Sequence, residues 1–123
     1  INAFWTAARY QLPVLIVVGN NRSYYNDELH QEGVAKHRGR DTKNRWIGQT
    51  IDHPAPDISS IARGLGVDSI GPIKDQSALA DAIRKGVEVV RSGKPFLIDV
   101  HIDPGHGREL TESMAERSLA QKS

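Results

Sequence analysis

Ala3, Phe4, Ala7, Ala8 and Leu12 recur at the three- and four-residue spacing of one helix face, which predicts a helix over residues 1–11 that Pro13 stops. Directly after it, Val14-Leu15-Ile16-Val17-Val18 is an apolar, largely β-branched run with no polar alternation. That is the pattern of a strand buried on both faces of a parallel sheet. The run breaks at Gly19-Asn20-Asn21. Residues 24–37 carry a weak helical pattern, and residues 38–56, rich in Gly, Pro and charge, predict a long surface loop. Asp57, behind Pro56, suits the N-cap of a short helix with Ile58, Ile61, Ala62 and Leu65 as its stripe and Gly64 and Gly66 marking its end. Residues 67–70 predict a short strand leading into Gly71-Pro72. Leu79, Ala82, Ile83, Val87 and Val90 make one face of a longer helix, capped by Asp75 or Ser77 and stopped at Gly93. Phe96-Leu97-Ile98-Asp99-Val100 predicts a second buried strand, and from Asp103 onward glycines, charges, Ser and Gln predict a peripheral tail.

Strands alternating with helices in this way define the α/β class, with a parallel sheet covered by helices on both faces. Residues 1–103 are expected to form one domain and residues 104–123 a C-terminal tail. In open parallel sheets ligands lie beyond the carboxyl ends of the strands. Gly19-Asn20-Asn21-Arg22-Ser23 stands at that end of the first strand, so the candidate site begins there.

Length and composition narrow the field without choosing a function. The 123 residues suffice for one core, and their 38% hydrophobic and 25% charged content is that of an ordinary globular protein rather than a disordered one. A net charge of +1 gives no global field for nucleic acid or an anionic membrane, and neither partner is expected. With no cysteine, disulfides, thiolate metal sites and a cysteine nucleophile are excluded, and the cytoplasm is the expected compartment. The apolar run at residues 14–18 is far short of the roughly 20 residues a membrane span requires. Ile1 has neither an initiator Met nor the layout of a signal peptide around it, so the chain reads as starting within an element.

Adjacent asparagines at the end of a buried strand are poor packing residues, because each amide must find partners once water is removed. Their oxygens suit a hard cation such as magnesium, which takes oxygen ligands in near-octahedral geometry. The same pair equally suits a helix cap or tight turn, since Asn tolerates left-handed geometry. Asp27 and Glu28 likewise suit the solvated first turn of a helix, where acids complement the dipole.

The stretch Trp5-Thr6-Ala7-Ala8-Arg9-Tyr10, then Leu12-Pro13-Val14, then Val17-Val18-Gly19-Asn20-Asn21, resembles the closing half of the thiamine-diphosphate motif, which opens with Gly-Asp-Gly and ends with Asn-Asn. Ile47-Gly48, Pro54-Ala55-Pro56-Asp57, Ile61-Ala62-Arg63-Gly64-Leu65-Gly66, Gly71-Pro72 and Pro95-Phe96-Leu97-Ile98-Asp99-Val100 follow in the order found in acetolactate synthase, benzoylformate decarboxylase and pyruvate decarboxylase relatives. The resemblance covers most of residues 1–103. It implies the C-terminal, diphosphate-binding part of a thiamine-diphosphate fold, incomplete as given.

By that resemblance, the Asn21 side-chain oxygen and the Ser23 backbone carbonyl are magnesium ligands, and Gly19, Asn20, Asn21, Ser23 and Tyr24 bind the cofactor. Asp27 falls where pyruvate decarboxylases hold an acidic catalytic residue, and Glu28 is its neighbour in the same role. The implied activity is decarboxylation or carboligation of 2-oxo acids with thiamine diphosphate and Mg2+, in at least a homodimer or homotetramer. The Gly-Asp-Gly aspartate and the glutamate that activates the cofactor are expected in an N-terminal remainder of the same enzyme, so the chain alone is expected to be inactive. Two other readings stand beside this one: a non-catalytic α/β module for some other phosphate ligand, and a family member whose chemistry is lost or changed.

The remaining polar clusters are expected to be bland. Lys36, His37, Arg38, Arg40, Lys43 and Arg45 lack interleaved aromatic platforms and read as a solvated loop. His101, Asp103 and His106 are too few to predict a metal centre. Trp5 is expected to pack against the first strand, and Tyr24 and Tyr25 to pack or to form a pocket wall.

Overall fold

The computed structural model describes residues 1–103. Its elements are α1 (Asn2–Arg9), β1 (Leu15–Asn20), α2 (Tyr25–His37), α3 (Ile58–Gly64), β2 (Asp68–Ile73), α4 (Gln76–Arg91) and β3 (Phe96–His101). The strands form a parallel sheet in the order β1-β3-β2, so the last described strand is the central one. This is a small α/β fold with a three-stranded parallel sheet and helices on its two faces, as the alternation of elements predicts.

Each face closes over one apolar cluster. Ile73, Ala82, Phe96 and Ile98 join Leu15, Ile70, Leu79, Val89, Val90 and Val100 on the α4 side. Ala62, Val67 and Leu97 join Phe4, Ala8, Ile16, Val18 and Ile58 on the side of α1 and α3. Adjacent residues of β3 alternate between the clusters, as a pleated strand requires. Leu97 and Ile98 are wholly buried. Each such side chain contributes roughly 1.5–3 kcal/mol by leaving water. Gly86 lets α4 lie close to the sheet, because a Cβ there would stand 2.6 Å from Leu15 Cδ1 and 3.1 Å from Phe96 Cδ1.

Local signals fix the helix ends. Asp57 Oδ1 accepts the Ser60 N–H at 2.8 Å and caps α3. At the other end Gly66, with φ +88, closes a Schellman motif in which Val67 N donates to Ala62 O at 3.0 Å. Asp75, not Ser77, caps α4, its Oδ1 accepting the Ser77 N–H at 2.9 Å.

Several expectations are corrected. The α1 helix ends at Arg9, ahead of Pro13, in a Schellman turn that puts Gln11 at φ 50 and bonds Leu12 N to Ala7 O at 3.0 Å. β1 is not buried on both faces: it is an edge strand among the described residues, and Val17 is 54% exposed. The strand also runs through Gly19 and Asn20, which pair with Val100 and His101, so the break comes later than the composition suggests. β2 extends past Ile70 through Gly71-Pro72 by way of an irregularity in its pairing with β3. The buried face of α4 centres on Ala82 and Gly86, which leaves Ile83 exposed. Trp5 is 56% exposed; Phe4, Ala7 and Ala8 make the inward face of α1 instead. The tail, with His106, lies outside the described residues. No described helix is long and apolar enough to cross a membrane.

Candidate functional site

Asn20 is the last residue of β1 and is buried; its carbonyl accepts the Ile102 N–H at 3.1 Å, which holds the strand end to β3. The chain then turns on its own amides. Arg22 N donates to Asn20 Oδ1 and Ser23 N donates to Asn21 Oδ1, each at 3.1 Å, two successive Asx turns with Arg22 at φ 54. Both asparagines therefore shape the turn. That role leaves Asn21 Oδ1 able to take a cation, because an amide oxygen carries two lone pairs.

A second segment clasps the turn from outside. Ile51 N donates to Arg22 O at 2.7 Å and Tyr24 N donates to Gln49 O at 2.8 Å, making an isolated antiparallel bridge between Ser23 and Thr50. In such a bridge the flanking residues make the ladder bonds, and the facing pair directs its own N–H and C=O away from the ladder. The Ser23 N–H goes to Asn21. Its carbonyl points away from the Thr50 segment. An amide oxygen and a backbone carbonyl on one turn fit the hard-oxygen donor set of magnesium, and the sequence-expected pair Asn21 and Ser23 is brought together.

The other expected residues surround that turn with differing environments. Gly19 is exposed on the face of β1 that α4 leaves open, where a Cβ would stand 3.3 Å from Ile102 Cδ1. Tyr24 is the N-cap residue of α2 and is 58% exposed, so it is not a core residue; Tyr25 is half-buried. Asp27 and Glu28 occupy the first turn of α2, whose N-terminal end adjoins the Asn20–Ser23 turn. Asp27 is exposed, whereas Glu28 Oε1 accepts the Arg45 Nε–H at 3.0 Å. Arg45 also lies 3.2 Å from the buried Glu32, which Lys36 meets at 2.6 Å.

At the carboxyl ends of the strands, Arg22, Lys74, His101, Ile102 and Asp103 line a cleft of about 300 Å³. Asn21 and Ser23 are not among its lining residues. The described residues contain no group of three His, Cys, Asp or Glu side chains placed to hold a metal ion. Sequence reasoning missed Arg45, which the basic stretch hides among solvated neighbours, and it missed Gln49 and Ile51, whose contributions are backbone groups with no signature. Asp99 stood in view as an acid within an otherwise apolar strand.

In a parallel α/β sheet, ligands lie beyond the carboxyl ends of the strands, and these oxygen donors stand there. Residues 1–100 match the family described as thiamine pyrophosphate enzyme, C-terminal TPP binding domain, and the chain belongs to that family. Neither a curated protein nor a solved structure gives a match.

Proposed function

We propose that this chain is part of a magnesium-dependent thiamine-diphosphate enzyme acting on 2-oxo acids, by decarboxylation, carboligation or both, and related to acetolactate synthase, benzoylformate decarboxylase and pyruvate decarboxylase. The observation that carries the reading is the Asn21–Ser23 turn, which offers an amide oxygen and a freed backbone carbonyl at the end of β1 in a domain of the thiamine pyrophosphate family. Asn21 and Ser23 would hold Mg2+, and the ion would neutralise a diphosphate that is otherwise costly to take out of water. When bound, the cofactor supplies the carbanion chemistry. The chain's own residues position it. Gly19 and Asn20 set the path of the backbone, and Tyr24 stands beside the turn as a wall.

Asp27 is suited to proton transfer, being exposed in the first turn of α2 with no ion pair among the described residues, while Glu28 is engaged by Arg45. The remaining ligand and the activating acid would come from an N-terminal remainder of the same enzyme, which would act as a homodimer or homotetramer in the cytoplasm. The test is carbon dioxide release by the full-length protein from pyruvate and from benzoylformate, with and without thiamine diphosphate and Mg2+. Cofactor-dependent release from either supports the reading. Cofactor binding without release from any 2-oxo acid indicates a member whose chemistry has changed, and no cofactor binding favours a module for another phosphate ligand.

A further inference from the structure

Three buried side-chain atoms on the α3 side of the sheet have no hydrogen-bond partner among the described residues: Asn20 Nδ2, Asp99 Oδ1 and Ser59 Oγ. Asn20 is 8% exposed, Asp99 1% and Ser59 0%. Unpaired buried polar atoms are rare, because each has given up its hydrogen bonds to water without replacement, so three on one face require an account.

They share that face by the pleat. Ile16, Val18 and Leu97 all contribute to the α3-side cluster, and residues two apart on a strand face the same way, which puts Asn20 with Val18 and Asp99 with Leu97. Register sets their separation. Val18 pairs with Asp99 and Asn20 pairs with His101, so Asn20 and Asp99 are diagonal neighbours on adjacent strands. With strands about 4.8 Å apart and two residues rising about 6.6 Å, they lie about 8 Å apart, within reach of two side chains and one bridging water. Gly71 connects the third atom: a Cβ at Gly71 would meet Asp99 Cβ at 2.7 Å and Ser59 Oγ at 2.9 Å, so only glycine leaves both groups their space.

We propose that Asp99 is the positioning residue for the Asn20–Ser23 turn, its carboxyl taking the Asn20 Nδ2 N–H through one buried water that Ser59 Oγ also contacts. The water has the two to four polar partners that a buried water needs. Held by its nitrogen, the Asn20 amide presents Oδ1 to Arg22 N. That bond starts the turn on which Asn21 and Ser23 are carried. Asp99 touches neither ion nor cofactor; it acts through Asn20. The proposal rests on the thiamine-diphosphate reading for its functional consequence and on the fold alone for its structural one.

The test is a swap in the full-length protein. Asn20→Asp puts a second buried carboxylate beside Asp99, and their mutual repulsion should raise the dissociation constant for thiamine diphosphate with Mg2+ about tenfold. The double variant Asn20→Asp/Asp99→Asn restores one donor and one acceptor in reversed order and should recover most of that loss. Equal affinity of the double variant and Asn20→Asp would overturn the proposal. Hydrogen exchange gives the second arm, which needs neither ligand nor an acid at position 20. In Asp99→Ala the Arg22 amide should exchange about tenfold faster while the α4 amides are unchanged; an unchanged Arg22 amide, or uniform loosening of α4 as well, would overturn it. If the wild type binds no cofactor, the functional reading fails while the exchange arm still decides this one.

Discussion

Arg45 Nε lies 3.0 Å from Glu28 Oε1, an ion pair that joins the segment following α2 to the first turn of that helix. Arg45 is also paired with buried Glu32, and two residues of its segment's continuation, Gln49 and Ile51, hold the backbone of the turn on either side of Ser23. The ion pair therefore belongs to the support of the site. Arg45→Met keeps most of the apolar stem and removes the charge. It should destabilise the protein by roughly 1–3 kcal/mol, because Glu28 and Glu32 lose a charged hydrogen-bond donor. Denaturant unfolding measures this, and an unchanged midpoint would show that the clasp is held by the backbone alone.

Ser23 offers a separation of backbone from side chain. Its carbonyl is the proposed ligand and its N–H holds Asn21 Oδ1, whereas its hydroxyl has no partner among the described residues. Ser23→Ala should leave cofactor affinity within about threefold. Ser23→Pro removes the N–H and should weaken affinity at least about tenfold. Calorimetric titration of the full-length variants decides it; equal losses in both would assign the role to the hydroxyl.

Asp27 and Glu28 should behave differently despite adjacency. Asp27→Asn, at an exposed position with no ion pair among the described residues, should slow turnover about tenfold or more with cofactor affinity little changed. Glu28→Gln should act chiefly on stability through Arg45. Steady-state rates beside melting temperatures test the pair, and a wild-type rate in Asp27→Asn would remove Asp27 from the chemistry.

Acid sensitivity should reside partly in two helix caps. The Ser60 hydroxyl, then the Ser60 N–H, hold the Asp57 carboxyl below its ordinary value, and the Ser77 N–H does the same for Asp75. A carboxyl whose folded pKa is lowered gives stability that is present above its ordinary value and lost as pH falls through the lowered one. Asn also caps helices but does not titrate. Asp57→Asn/Asp75→Asn should therefore lose less stability than the wild type on acidification below the usual carboxylate range. Melting curves from neutral pH downward check this; parallel curves would contradict it.

Periodicity and punctuation made most of the fold legible. Asp57, Gly66, Asp75 and Gly93 mark helix ends through local chemistry that does not depend on the rest of the chain. β1 misled because an unbroken apolar run reports burial potential, not the presence of a covering layer, and Val17 is half uncovered in this chain. The turn was legible from Asn20 and Asn21 standing behind an apolar run. Its supports were not: the Gln49 and Ile51 contributions are main-chain groups, and Arg45 is distinguished from Arg38 or Arg40 only by the position of Glu28 and Glu32 in space.

The most direct test of the central claim is calorimetric titration of thiamine diphosphate into the full-length protein with Mg2+ and with chelator, for the wild type and for Asn21→Leu. The account predicts tight binding by the wild type that requires the ion, and loss of both binding and ion dependence in Asn21→Leu. Undiminished, magnesium-dependent binding by Asn21→Leu would contradict it.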